Sequence, residues 1–231
     1  RIRRNMICDR RLLASFSIDH AKVRTMAPSP EIDARLSALG LRAADIDERF
    51  VRGSGPGGQK INKTSSTVWL RHRPTGIEVR CQAGRSQAAN RIIAWAALCD
   101  RFEAQVGAVR AEALRRHASI LRRRHDLDDA MRLARASHDT AESTGDPVLV
   151  AEALNAMALI HVERGEWPQA RAHLEQALAL GASHDELRGR IEQNFGVIAN
   201  IEGDLREALR RYQQSLQSFQ SANNQRGCAI A

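Results

Sequence analysis

Lysine is scarce in this chain of 231 residues, and long apolar runs are missing. Lysine occurs only at positions 22, 60 and 63, so arginine supplies nearly all of the positive charge. No apolar stretch approaches the roughly 20 residues that span a bilayer. The basic residues 1–8 lead into no apolar segment of a secretory signal. The sequence therefore predicts neither membrane contact nor export, and we expect a cytoplasmic protein.

Cysteine is also sparse, and its spacing argues against two kinds of site. Cys8, Cys81, Cys99 and Cys228 form no C-x-x-C pair and show no spacing to histidine that suits zinc. Scattered cysteines of this kind are typical of thiols in a reducing compartment rather than of a disulfide framework. We therefore expect no metal and no other cofactor.

Charge of one sign is present in excess. Hydrophobic residues make up 43% of the chain and charged residues 27%, which is ordinary for a globular protein. The net charge of +8 and the pI near 10.3 are not ordinary. They favour a polyanionic partner, and nucleic acid leads that class.

The most informative stretch is Gly53–Gln59, which reads GSGPGGQ and is followed at once by KINKT over Lys60–Thr64. Its four glycines give a backbone that can adopt positive φ angles and approach another molecule closely. The glutamine and the two lysines at its exit suit a negatively charged partner that carries a reactive bond.

Two commoner glycine-rich loops do not fit this stretch. Its glycines satisfy G-x-G-x-x-G, but a dinucleotide site needs a buried strand before the motif and a helix that opens inside it. Residues 47–52 are too polar for such a strand, and residues 64–69 favour a strand rather than a helix. A P-loop fails because Gln59 separates the last glycine from Lys60. A plain surface loop stays open as the alternative.

GSGPGGQ with its basic N-K-T extension resembles the catalytic loop of bacterial-type class I peptide-chain release factors and of the related ribosome-rescue hydrolases. Arg73–Ile77 resembles the hairpin turn of this family, and Arg85–Gln87 with Asn90 and Arg91 resembles the start of its next helix. The similarity covers about eighty residues, which is more specific than a single motif. It implies an α+β domain that hydrolyses the ester between nascent peptide and tRNA on the ribosome.

The resemblance implies that Gly57, Gly58 and Gln59 are catalytic. Ester hydrolysis passes through an oxyanion that needs hydrogen-bond donors placed in advance. By the resemblance, the backbone N–H of Gln59 donates to that oxyanion, and its side chain admits water and excludes larger nucleophiles. The glycines supply the conformation. The sequence offers no Ser-His-Asp or metal alternative, because His20 and His72 stand alone.

Basic and polar residues around the loop are candidates for contacts with the phosphates of ribosomal RNA and tRNA. Taken singly, each is as compatible with a solvated surface group; as a set, they favour binding. Trp69 could stack on a base, but packing on the outer face of a hairpin is the favoured interpretation. The candidates are Arg52, Ser54, Lys60, Asn62, Lys63, Arg71, Arg73, Arg80, Arg85 and Arg91.

Periodicity and turn residues predict the elements around the loop. Ser29 and Pro30 predict a helix over 31–39 that stops at Gly40. Residues 47–52 predict a strand, and residues 68–81 predict a β-hairpin that turns at 74–76. Ser86 predicts the start of a long helix. Its predicted apolar stripe is Ile92, Trp95, Cys99, Phe102 and Val106.

Residues 110–231 predict an all-α helical-repeat solenoid. Gly165 and Gly203 are 38 residues apart, as are Ala170 and Ala208. The pattern resembles tetratricopeptide repeats, in which small residues let paired helices approach closely; a generic helical bundle stays open. Gly145–Pro147, and Gly181 with a capping box over Ser183–Glu186, predict helix ends. A first copy is predicted on Leu114, Ala118, Leu121, Ala130, Ala134 and Ser137.

These patterns divide the chain into three parts. We expect residues 1–26 to be a disordered arm or translated upstream sequence, 27–106 to be the catalytic domain, and 110–231 to be repeats that continue beyond the chain. Only about fifty residues precede the loop, too few for a stop-codon-reading domain. The resemblance is therefore to codon-independent members, and the leading hypothesis is a peptidyl-tRNA hydrolase of the ribosome with a repeat module for an unknown protein or peptide.

Two other interpretations stay open. The runner-up is a non-enzymatic scaffold or regulator, in which the repeats carry the function and the first domain only binds the ribosome or RNA. Alternatively, the chain joins two reading frames that do not belong together. The intact Gly57-Gly58-Gln59 sequence favours the enzyme.

Overall fold

The computed structural model describes residues 28–51 and 66–229. They form two compact units that divide between Cys99 and Asp100. The first holds a small antiparallel sheet with helices, and the second is all α-helical, as the sequence predicted. Within the described ranges, every helix is too short or too polar to cross a bilayer.

The first helix, α1 (Pro30–Ala38), begins and ends as its sequence predicts. The Ser29 hydroxyl accepts a hydrogen bond from the Ile32 N–H at 3.4 Å, and proline occupies the first turn. At the other end Gly40 adopts φ +68°, and the Leu41 N–H donates to the Leu36 carbonyl at 2.8 Å. This is the left-handed stop that glycine favours.

The sheet has the strand order β1 (Ile46–Val51), β2 (Thr67–His72), β3 (Glu78–Cys81), and both pairings are antiparallel. Val68 and Leu70 share the inner face of β2 and are fully buried. Val79 and Cys81 on β3 are also buried, so the predicted β-hairpin is confirmed. Gly76, at φ +70°, supplies the turn between β2 and β3.

The long helix α2 (Gln87–Arg123) begins where Ser86 predicted, since the Ser86 hydroxyl accepts from the Ala89 N–H at 3.3 Å. Its apolar stripe was predicted only in part. Trp95, Cys99 and Phe102 are buried, together with Ala94 and Leu98.

Two members of the predicted stripe were wrong. Ile92 is 67% exposed and Val106 is 55% exposed. The buried face repeats through Ala94, Leu98 and Phe102, and Ile92, two residues before Ala94, lies well round the helix from it. This run of large buried side chains ends at Phe102, one turn before Val106. Helix α2 carries apolar residues on more than one side, and their spacing alone did not identify which side faces the core.

The second unit contains helix pairs in repeated order. After the end of α2 come α3 (Leu127–Thr144), α4 (Pro147–Glu163), α5 (Trp167–Gly181), α6 (Asp185–Ile201), α7 (Leu205–Ser221) and the short α8 (Gln225–Cys228). Helix α6 begins 38 residues after α4, and α7 begins 38 residues after α5, which is the predicted offset. Buried side chains from α4, α5 and α6 form one core that includes Ala158, Leu174 and Ile191.

One predicted boundary between repeats is confirmed. Gly145 ends α3 at φ +71°, the Asp146 carboxylate accepts from the Val148 N–H at 2.9 Å, and Pro147 opens α4. At the other boundary, helix α5 ends at Gly181 as predicted, but the predicted capping box was wrong. The His184 ring nitrogen accepts from the Leu187 N–H at 3.3 Å, so His184 and not Ser183 caps α6.

Gly181 also has a packing role. A Cβ at this position would lie 3.0 Å from a Leu187 methyl carbon and 3.4 Å from Ala151 Cβ. Glycine therefore lets the end of α5 approach α4 and α6 closely, so this residue marks a helix end and also permits close packing.

The turns inside the helix pairs share one backbone geometry. His125, Gly165 and Gly203 all have positive φ, at 60°, 73° and 83°. In each turn, the N–H of the residue that follows the positive-φ residue donates a hydrogen bond to a carbonyl five residues earlier, in the preceding helix. For example, the Glu166 N–H donates to the His161 carbonyl at 2.9 Å. A left-handed residue is strained unless it is glycine, so His125 is the exception among the three.

We expect His125→Gly to stabilise the second unit by about 1 kcal/mol, because it relieves this strain. The His125 side chain is 84% exposed and comes only within 4.0 Å of Glu163, so little contact is lost. Urea unfolding followed by circular dichroism measures the change. The matched reverse variant, Gly203→His, should destabilise by a similar amount; equal midpoints for both variants and the natural chain would contradict the argument.

Candidate functional site

The glycine-rich stretch connects two strand ends that pair with each other. Val51, the last residue of β1, lies opposite Thr67, the first residue of β2. The connection between them, residues 52–65, lies outside the described residues. The same is true of the predicted catalytic residues and half of the predicted RNA contacts: Gly57, Gly58, Gln59, Arg52, Ser54, Lys60, Asn62 and Lys63. The described part of the site is therefore its base.

Asn90, in the first turns of α2, holds one side of this base. Its side-chain N–H₂ donates to the Ser66 carbonyl at 2.8 Å and to the Gly84 carbonyl at 2.9 Å. Its Oδ1 accepts from the Gly84 N–H at 2.8 Å. Asn90 is fully buried, so these bonds satisfy groups that water cannot reach. One side chain thus ties the start of β2 to the segment between β3 and α2.

On the other side of this base, Glu48 of β1 is bound by side chains of α2. Arg91 Nε and Nη2 donate to its two carboxylate oxygens at 2.6 and 3.1 Å, and Trp95 Nε1 donates to Oε1 at 3.2 Å. Glu48 is 6% exposed. A buried carboxylate is tolerated only with such partners, and the two-point arginine contact fixes its orientation. We call this set the loop brace; it consists of Glu48, Asn90, Arg91 and Trp95.

The outer face of the sheet carries an aromatic and basic surface. Trp69 on β2 lies opposite Arg49 on β1 and Arg80 on β3. The Arg49 guanidinium carbon lies 5.2 Å from the centre of the Trp69 ring, a cation–π distance. Trp69 is half-buried, so it packs on the outer face of the hairpin while part of the ring is exposed.

The five predicted RNA contacts that the structure describes fall into two groups. Arg71, Arg80 and Arg85 are exposed, as is Arg73, whose Nη2 donates to the Ala44 carbonyl at 2.6 Å. Arg91 differs, because its guanidinium is committed to Glu48 and its side chain is only 17% exposed. That geometry favours a role within the protein for Arg91, and RNA contact stays a prediction for all five.

Sequence reasoning missed Glu48 and the bonding role of Asn90. A signal for Glu48 was present: it alternates with Ile46 and Phe50, so it occupies an inward position on β1, where a carboxylate needs a partner. For Asn90 the sequence carries no comparable signal, since a polar residue on an amphipathic helix normally faces water.

A histidine cluster lies in the second unit. The rings of His161 and His173 stack with centroids 5.2 Å apart, and His161 Nδ1 lies 2.5 Å from a Glu166 carboxylate oxygen. Burial, together with the nearby His161, His138 and Arg135, lowers the pKa of His173 below its usual 6.5. His173 Nδ1 is buried and makes no hydrogen bond with the residues that the structure describes.

This cluster predicts a pH dependence of the second unit's stability. The folded state binds fewer protons than the unfolded state near pH 6.5, so the free energy of unfolding should be constant well above that pH and fall below it. Urea unfolding between about pH 7.5 and about pH 5.5 measures the slope. In His173→Gln the decline should be shallower; an unchanged slope would exclude His173 as its source.

Among the described residues, His138, Asp139 and Glu142 place potential metal ligands within 4.8 Å of one another. His138 is half-buried, and Asp139 and Glu142 are exposed on the surface of α3. Exposed acidic groups of this kind are common without an ion, so we propose no metal site here.

Two family models match parts of the chain that overlap over residues 109–141. Residues 35–141 match the family model described as RF-1 domain, and residues 109–183 and 149–221 both match the model described as tetratricopeptide repeat. The matches agree with the fold, an α+β part followed by a helical part. The chain is therefore similar to RF-1 domains in its first part and to tetratricopeptide repeats in its second.

Curated relatives match a limited part of the chain. Peptide chain release factor 2 of Variovorax paradoxus (strain S110) is 46% identical over 83 residues, which are 36% of this chain and 22% of the relative. Peptide chain release factor 1 of Nitrosomonas eutropha (strain DSM 101675 / C91 / Nm57) is 42% identical over 103 residues, or 44% of this chain and 28% of the relative. The chain thus spans about a quarter of these relatives.

Proposed function

We propose that this chain hydrolyses the ester bond of peptidyl-tRNA on the ribosome and releases the nascent peptide without reading a codon. The observation that carries the proposal is GSGPGGQ within residues 35–141, the stretch that matches the RF-1 domain. The paired ends of β1 and β2 support it, because they anchor both ends of the connection that contains this sequence.

In this proposal the chemistry comes from Gly57, Gly58 and Gln59. The Gln59 backbone N–H donates to the developing oxyanion, its side chain admits water, and the glycines allow the backbone geometry. No cofactor is required. The basic set around the loop binds ribosomal RNA and tRNA phosphates. Among its described members, the exposed Arg71, Arg80 and Arg85 are the strongest candidates.

Peptide release from ribosomes that carry a labelled peptidyl-tRNA tests the activity and its codon independence together. One set of ribosomes is stalled at the end of an mRNA without a stop codon, and a parallel set presents a stop codon. The proposal expects release from the first set. Release only from the second set would leave a hydrolase but exclude codon independence. Ribosome binding without release from either set would exclude the hydrolase.

The repeats are proposed to bind a protein or peptide partner, and the tetratricopeptide match supports this role. If release fails, that match favours the second candidate function, a ribosome-associated or RNA-associated scaffold. We place the catalytic domain at 27–106 and the repeats at 110–231, and we assign the protein to the cytoplasm. These boundaries, the partner and the location are parts of the proposal.

A further inference from the structure

We propose that Asn90 is a positioning residue for the hydrolytic loop, a role that rests on the proposed function. Asn90 lies on a helix, but its three hydrogen bonds go to backbone groups of two other segments, at Ser66 and Gly84. Ser66 directly follows the 52–65 connection, so the bond to its carbonyl fixes the point at which that connection enters β2.

The loop brace fixes both strands from the same helix. Asn90 holds the start of β2, while its neighbour Arg91 and Trp95, one turn further on, hold Glu48 in the middle of β1. The sheet register alone leaves a β-strand free to twist and fray at its end, where the ladder stops. Side-chain bonds from a packed helix to both strands restrict that motion at the base of the loop.

The chemistry of Asn90 is specific to an amide. The Ser66 and Gly84 carbonyls need donors, and the Gly84 N–H needs an acceptor, so a side chain with both functions is required. Asparagine provides two N–H bonds and one carbonyl oxygen in a fixed plane. An aspartate of the same shape keeps the acceptor but has no N–H₂, and its carboxylate would face two carbonyl oxygens in a buried place.

If Asn90 positions the loop, its loss should slow the chemical step of release without weakening binding to the ribosome. A displaced catalytic group can lower a rate by about 100-fold when it moves by about 1 Å. Asn90→Asp should therefore lower the rate constant of peptide release at saturating protein by about 10- to 100-fold. The protein concentration that gives half-maximal release should stay the same, because the exposed basic residues are unchanged.

The experiment combines release kinetics with hydrogen–deuterium exchange of the full chain without ribosomes. In Asn90→Asp, amide exchange should be faster in peptides that span 60–68 and 82–88, and unchanged in peptides of α4 and α6. Asn90→Ala lacks the buried charge and leaves room for a bridging water, so it serves if Asn90→Asp does not fold. Circular dichroism checks the fold of each variant.

The matched control is Asn155→Asp in α4. Asn155 is also a buried asparagine, and its Oδ1 accepts from Asn194 Nδ2 at 2.7 Å, far along the chain from the loop. The same chemical change there should leave the release rate constant unchanged. Equal release constants and equal exchange at 60–68 in a folded Asn90 variant and the natural chain would overturn the inference. If the natural chain releases nothing, the proposed function fails separately, and the exchange at 60–68 alone decides whether Asn90 anchors the connection.

Discussion

Gly58→Ala is expected to reduce peptide release by about 10²- to 10³-fold, the typical cost of losing one oxyanion donor. In the proposed site the Gly58 backbone sets the direction of the Gln59 N–H. An added Cβ restricts the φ and ψ angles that glycine can reach and crowds a backbone that must approach the tRNA end closely. The measurement is the single-turnover release of labelled peptide from stalled ribosomes, with ribosome binding measured in parallel.

The binding measurement separates chemistry from docking. Gly58→Ala should bind ribosomes as the natural chain does, because the candidate phosphate contacts are unchanged. The matched control is Gly203→Ala in the turn between α6 and α7, where glycine has φ +83° and a Cβ would meet nothing within 4 Å. It should lower stability by about 1 kcal/mol and leave release intact. Full release by Gly58→Ala would contradict the proposed role of the loop.

The local elements near the site could be predicted from sequence because their signals are local. Ser29, Gly76 and Ser86 act on residues within one turn of themselves, and the structure places each where its signal predicted. The loop brace could not be predicted in this way. Its bonds join Asn90 to Ser66 and Arg91 to Glu48, across 24 and 43 residues. Which polar side chain reaches which backbone group depends on packing that no short window contains.

In the repeats, too, contacts between residues far apart in the sequence could not be predicted. The 38-residue offset predicted the order of helices, because the last two copies repeat the same small residues and turn glycines. Gly181 was correctly assigned to a helix end, but its close packing against Leu187 and Ala151 in neighbouring helices was not predicted. His125 was not recognised as a turn residue, since the first copy uses histidine where the next two use glycine. Sequence periodicity therefore predicted the architecture better than the role of single residues.

Leu174→Ala should lower the stability of the second unit by about 2–5 kcal/mol, the usual range for a leucine removed from a packed core. Leu174 is fully buried on α5, in the core shared by α4, α5 and α6. Neighbouring repeats stabilise one another, so a cavity at this shared core should weaken more than one helix pair. Urea unfolding followed by circular dichroism gives the loss. Leu205→Ala is the matched control: Leu205 is 68% exposed, and its loss should stay within about 0.5 kcal/mol. Equal losses for the two variants would mean that α4, α5 and α6 do not share a packed core in solution.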